Sequence, residues 1–302
     1  MPPLPPLSRL LDRRLVVVSG KGGVGKTVVS AALGRALARR GKKVLLVEVD
    51  PRESLHQLFG IPPSGGEVVA AGDGLWVQNL KPRAVLDRIV AAELRIGPLV
   101  KRVLESPLYA ELSAAMPGLK ELAVVHHCQV SSGAGRASRK ARAEFDLVVL
   151  DAPATGHGVT LLTAPRVTAR AIGSGPVAAI AGELAGFVES AEETAIATVC
   201  RAEEMPVEET FELKATLEER LGRGPDLLVV NALYPPFPAD RSLPEPGDPL
   251  RLWAERWAIN EEQCARLRRD WPGPRVELPL LAQDRGPALV AELARRLEAE
   301  AG

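Results

Sequence analysis

Residues 19–28 read SGKGGVGKTV, and the fold turns on how they are parsed. Gly20, Gly22 and Gly25 fit the GxGxxG template of a dinucleotide-binding turn, with Asp50 downstream at roughly the distance of a ribose-binding acid. Continued to Lys26 and Thr27, the same residues fit GxxxxGK[ST], the P-loop template. Both readings cradle phosphate with backbone N–H groups at a helix N-terminus. They part after the last glycine. A dinucleotide turn has no use for Lys-Thr, whereas a P-loop needs a lysine for the β- and γ-phosphates and a hydroxyl for Mg²⁺. A distant acid bears on the choice: the apolar run from Phe145 to Leu150 leads into Asp151, where a Walker B aspartate is expected. The P-loop reading is favoured, and the dinucleotide turn is kept as the weaker alternative.

Working outward, short apolar runs at 15–19, 44–49, 75–80, 147–150, 194–200, 226–233 and 276–281 read as strands. Several lack polar alternation, the mark of a parallel sheet covered by helices on both faces. A helix follows the glycine turn from about Thr27 to Arg40 and stops at Gly41, a natural C-terminal cap. The repeated strand–helix–strand order predicts an α/β, doubly wound, mostly parallel sheet. Intervals at about 81–143 and 162–193 are helical in pattern and are expected to form a cap subdomain. The proline-rich stretch at about 235–250 reads as a surface loop. No internal repeat is visible, so residues 1–302 read as a single nucleotide-binding domain.

Composition narrows the classes. Lys+Arg and Asp+Glu balance at 38 each, so no global field favours nucleic acid or an anionic membrane. Cys128, Cys200 and Cys264 are scattered without CxxC spacing, which opposes a disulfide framework or structural zinc. The start carries its charges last, unlike a signal peptide, and no run of about 18 apolar residues exists. These features predict a cytoplasmic protein with no membrane insertion and no nucleic-acid partner.

The second lysine of KGGVGKT narrows the P-loop class further. The stretch resembles the deviant Walker A motif of a set of dimeric ATPases. The resemblance implies that Lys21 reaches across a dimer interface to phosphates held by the partner chain, like an arginine finger supplied in trans. Downstream motifs point to one branch. Asp50-Pro51 is similar to the switch I of arsenite-pump and guided-entry (tail-anchored protein targeting) ATPases. Asp151-Ala-Pro-Ala-Thr-Gly-His157 resembles their DTAPTGH switch II, and Pro117, Gly118 and Glu121 resemble their PGxxE helix start. Glu203, Glu209 and Thr210 also match. The chain looks like a bacterial-type, single-domain member.

That resemblance implies ATP/ADP and Mg²⁺ as cofactors, with Gly20, Lys21, Gly22, Gly23, Val24, Gly25, Lys26, Thr27 and Val28 around the phosphates. Asn231 would read adenine, with Pro279 and Leu280 closing over the base. Thr27 would ligate Mg²⁺ directly and Asp151 through water, with Asp50 a further candidate near the metal. Asp50, Lys21 and Lys26 would be catalytic, Asp50 by orienting the attacking water. The implied assembly is a homodimer, or a heterodimer with a paralogous ATPase, driving an unidentified client protein or membrane component. Anion or metalloid export and membrane-protein handling both fit. A nucleotide-gated binding switch with little turnover and a chromosome-partition or cell-division positioning ATPase stand as alternatives.

Departures from the family pattern are as informative. Switch I continues Arg52-Glu53-Ser54, which puts its coupling to a client in doubt. The family's interfacial cysteine pair and arsenite-binding trio are both missing, and three methionines are few for a helix-binding groove. Residues 175–188 read as a buried helix. Of the remaining candidates, His126, His127 and Cys128 point in different directions on a helix and do not make a metal site. Trp253, Trp257 and Trp271 read as packing, and Leu289, Leu293 and Leu297 give the last helix one apolar face.

Overall fold

The computed structural model of the chain describes residues 7–50, 52–94, 97–107, 109, 111, 118–135, 144–153, 155–238, 244–245 and 247–299. Pro51, Pro117, Ala154 and the side chains of Thr155 and His157 lie outside the described residues, as do positions 239–243 and 246 of the loop at 235–250.

Strands β1 (Leu15–Gly20), β2 (Val44–Glu48), β3 (Val69–Gly72), β4 (Leu75–Asn79), β5 (Leu147–Asp151), β6 (Thr194–Arg201), β7 (Leu227–Leu233) and β8 (Arg275–Pro279) form one sheet. Its order is β3-β4-β2-β5-β1-β6-β7-β8. Every neighbouring pair is parallel except β3–β4. All seven runs expected from the sequence are strands. The unforeseen one is β3, whose residues are only alternately half-buried. It pairs antiparallel at the sheet edge through a turn in which Gly72, Asp73 and Gly74 all have positive φ.

Helix α1 (Ser8–Leu11) precedes β1, and α2 (Lys26–Arg39) and α3 (Leu55–Phe59) follow β1 and β2. Helices α4 (Pro82–Leu94), α5 (Gly97–Leu104) and α6 (Leu119–Ser131) lie between β4 and β5, then α7 (Thr155–Ile172) and α8 (Pro176–Glu189) before β6. The chain ends through α9 (Glu204–Leu221), α10 (Pro249–Asp270) and α11 (Pro287–Ala299). Side chains of β1 explain the two layers. Val16 and Val18 join a core with Leu33, Leu37 and Leu293, under α2 and α11. Leu15 and Val17 join the opposite core with Leu122, Leu184 and Leu217, under α6, α8 and α9. A third cluster sits beneath α10, where Cys200, Cys264 and Trp271 are buried together.

The apolar face expected of the last helix is real, and its occupant is α2: Leu293 and Leu297 are buried in the core they share. Helix α8 packs on α7 and buries Ala181, Leu184, Phe187 and Val188, while Val177 faces solvent. It is therefore covered on one face, where the sequence reading had a buried helix. Among the described residues, no helix is long and apolar enough to cross a membrane.

The parallel register brings the ends of β1, β2 and β5 to one edge. Ser19 and Gly20 lie beside Thr198 and Val199 of β6, and Gly20 has φ +145°. A β-carbon there would run into the Val199 carbonyl oxygen. Gly20→Ala is therefore expected to destabilise the fold by about 2–5 kcal/mol, combining backbone strain and overpacking. Chemical denaturation checks this, and an unchanged midpoint would exclude so tight a strand contact.

Candidate active site

The glycine-rich loop leaves β1 and turns into α2. Gly23 and Gly25 hold φ of 82° and 91°, a region favouring glycine. That geometry leaves the first N–H groups of α2 unpaired within the helix, a cradle for anions. Lys26 opens α2, and its ammonium donates back to the Lys21 carbonyl at 2.8 Å. One residue on, the Thr27 hydroxyl donates to Asp151 Oδ2 at 2.7 Å. The Ser30 hydroxyl, one helical turn further along the same face, donates to Asp151 Oδ1 at 2.9 Å. Asp151 closes β5 and is buried.

These residues open onto a cavity of about 820 Å³, at the scale of a small-molecule site, about 300–1,000 Å³. Gly22, Gly23, Gly25, Lys26, Thr27, Val28, Asp50 and Asp151 line it. The other expected residues stay off its wall. Gly20 ends β1, and the buried Val24 presents its carbonyl to Asn231 Nδ2 at 2.9 Å. Asn231 is thus packed against the loop itself, just before Ala232, whose φ of 58° accompanies a register shift in β7–β8. Pro279 ends β8, and the Leu280 amide donates to the Leu233 carbonyl at 2.7 Å. Lys21 points away from its own cavity and pairs with Glu209 of α9.

Apart from Glu121, part of the expected helix start, the other residues in and around the site were not singled out from the sequence. Lys120 and Glu121 of α6 and Arg285 of the β8–α11 connection also line the cavity. Arg285 arrives because α11 runs beside α2 and meets α3 at its start, where Pro287 lies against Gly60. No local pattern signals that. Ser30 had a signal: three residues after Thr27, it shares a helix face with it.

The donor set suits a hard divalent cation such as Mg²⁺, which takes oxygen ligands and keeps several waters. The Thr27 hydroxyl and the Asp151 carboxylate meet at hydrogen-bond distance. Elsewhere, His127 Nε2 lies 2.8 Å from Gln78 Oε1, and burial pushes its pKa down to about 4. Among the described residues, no group of three or more His, Cys, Asp or Glu could hold a metal.

Burial pushes the Asp151 carboxyl up to about 6, while bonds from Thr27 and Ser30 and the Lys26 charge hold it down. Burial also lowers the pKa of Lys26, against the pull of Asp151. A carboxyl raised above its unfolded value of 3.8 favours the folded state most when protonated in both states. That contribution is full below about pH 4 and is lost as pH rises through about 6. Relative to Asp151→Asn, the wild-type chain is expected to lose on the order of 2–3 kcal/mol over that window. Metal-free denaturation curves at both pH values test it, and a constant offset between the two chains would sink it.

A family model described as anion-transporting ATPase matches residues 13–175, a little over half of the chain. The ATPase BagA of Mycobacterium tuberculosis is 32% identical over 217 residues, covering 68% of this chain and 61% of its own length. An arsenical pump-driving ATPase of Escherichia coli is 28% identical over 273 residues, covering 84% of this chain and 44% of its own. For the ATPase GET3 of Malassezia globosa the identity is 29% over 175 residues, with coverages of 56% and 48%. The chain spans less than two thirds of the length of these relatives.

Proposed function

The chain belongs to the anion-transporting ATPase family, shared by arsenical pump-driving and GET3-type ATPases, and on that premise we propose that it hydrolyses MgATP as a dimer to act on a client. The observation that carries this reading is the meeting of Thr27, Asp151 and Asp50 on one cavity at the start of α2.

Each residue then has a task. Backbone N–H groups of the loop and the Lys26 ammonium bind the phosphates. Thr27, through its hydroxyl oxygen, and Asp151, through water, would hold the metal. Mg²⁺, when bound, would offset the negative charge of the phosphates. Asp50, exposed on the cavity wall, orients the attacking water. Positioning of this kind supplies most of the catalysis in phosphoryl transfer. Lys21 serves the partner's phosphates, a reading supported by its half-exposed side chain directed away from its own cavity. Asn231, with Pro279 and Leu280, serves the base. The client is an anion, a metalloid or a membrane protein, and the protein works in the cytoplasm.

A nucleotide-gated switch with little turnover is the second reading. The Lys21–Glu209 ion pair favours it, since the lysine is already held within its own chain. ATP hydrolysis per chain, followed across chain concentrations with Mg²⁺, separates the two. A specific rate that climbs and saturates supports the homodimeric enzyme. A low, flat rate overturns it and favours the switch or a paralogous partner.

A further inference from the structure

Glu48 closes β2, in register with Asp151 of β5, and its side chain is only 2% exposed. A carboxylate this deep needs partners, and among the described residues no ion pair with a cation supplies them. They come from the start of α3 instead. Glu48 accepts hydrogen bonds from the Ser54 amide at 3.0 Å, the Ser54 hydroxyl at 3.0 Å and the Leu55 amide at 3.3 Å. Ser54 makes no side-chain cap of its own. The helix is therefore capped from the strand that precedes it, and the carboxylate sits where a helix N-terminus favours negative charge.

The consequence falls on the loop between them, which carries Asp50. Its far end is held by Glu48. Its near end is held by Asn79, whose Nδ2 donates to the Asp50 carbonyl at 2.7 Å. Between the two, Glu53 accepts from the amides of Ser64 and Gly65 at 2.6 and 2.8 Å, and the Ser64 hydroxyl accepts from the Asn79 amide at 2.8 Å. Glu53 and Ser54, two of the residues by which switch I departs from the family pattern, are thus members of a clamp. Among the described residues, the Asp50 carboxylate takes only the Arg52 amide, at 2.8 Å, and it stays exposed on the cavity wall.

We propose that Glu48 is a positioning residue, which fixes Asp50 by pinning the loop that bears it. The inference rests on the proposed role of Asp50 in orienting water. Shifting such a group by about 1 Å can cost on the order of 10²-fold in rate. Glu48→Gln keeps the volume and one acceptor oxygen but removes the charge that draws Ser54 and Leu55 together. It is expected to lower kcat by about 10-fold, and Glu48→Ala by about 10²-fold. The Kd for MgADP should stay within about twofold in both, because the phosphate cradle is untouched.

The experiment compares wild type, Glu48→Gln, Glu48→Ala and Asp50→Ala for kcat, MgADP affinity and Tm. If wild type turns over and Asp50→Ala does not, a lowered kcat at unchanged affinity in folded Glu48→Gln supports the inference. Under the same conditions, a wild-type kcat with a lowered Tm makes Glu48 a helix cap alone and overturns it, with the reading of Asp50 intact. Equal rates in wild type and Asp50→Ala overturn the reading of Asp50, and the positioning role falls with it.

Discussion

Replacing Lys21 with alanine should lower ATP turnover by about 10³–10⁵-fold, the range over which a trans-acting cation accelerates nucleotide hydrolysis, while nucleotide affinity changes little. The Lys21 ammonium does not reach its own cavity; it is bound to Glu209 on α9. A lysine so placed contributes to chemistry only if another chain brings phosphates to it. The decisive assay mixes two inactive chains, Lys21→Ala and Asp50→Asn. In the mixed dimer, one site has an intact Asp50 and receives Lys21 from its partner, while the other has neither. Random pairing at equal amounts then restores about a quarter of wild-type activity. If Lys21 acted within its own chain, both sites of the mixed dimer would be defective. An inactive mixture, with dimers demonstrated, would reject the trans role.

Lys26→Ala should cost about 10²–10³-fold in kcat, as loss of a preorganised phosphate-stabilising donor does, and unlike Lys21→Ala it should also weaken nucleotide binding by at least about 10-fold. Two contacts explain the difference. Lys26 is tied across the loop to the Lys21 carbonyl, so its removal loosens the cradle as well as subtracting a charge. It also offsets the buried Asp151 carboxylate, which would lose a neighbouring cation. Titration with ADP, with and without Mg²⁺, reads the binding term separately from turnover. Wild-type affinity in Lys26→Ala would mean that the phosphates lie elsewhere.

The central motif was legible because its chemistry is local. Glycines at fixed spacing, a lysine, a hydroxyl and a helix start are contiguous, and they fold where their sequence implies. Asp151 was legible for a related reason: an acid ending a fully apolar run stands at the end of a buried strand. The unread parts depend on topology. Arg285 reaches the cavity because α11 runs beside α2, which no local pattern declares. β3 is short, half-exposed and bounded by positive-φ residues, so it resembles a loop. Glu48 did leave a trace, since VLLVEV places a carboxylate inside a buried strand. Its answering donors lie past Asp50, in the stretch that departs from the family pattern. Asn231 gives a different lesson. Its strand position was readable, but its bond to the Val24 carbonyl arises only when β7 and the loop are brought together.

The sheet also acts as a wall. The described core residues above and below its centre fall into separate clusters, with alternate side chains of β1 facing each. Regions with separate cores can open as separate cooperative units. Loosening of helices α6 to α9 would therefore open no void beneath α2. The start of α2 and the residues of α6 that line the same cavity thus rest on different cores, on opposite faces of one sheet.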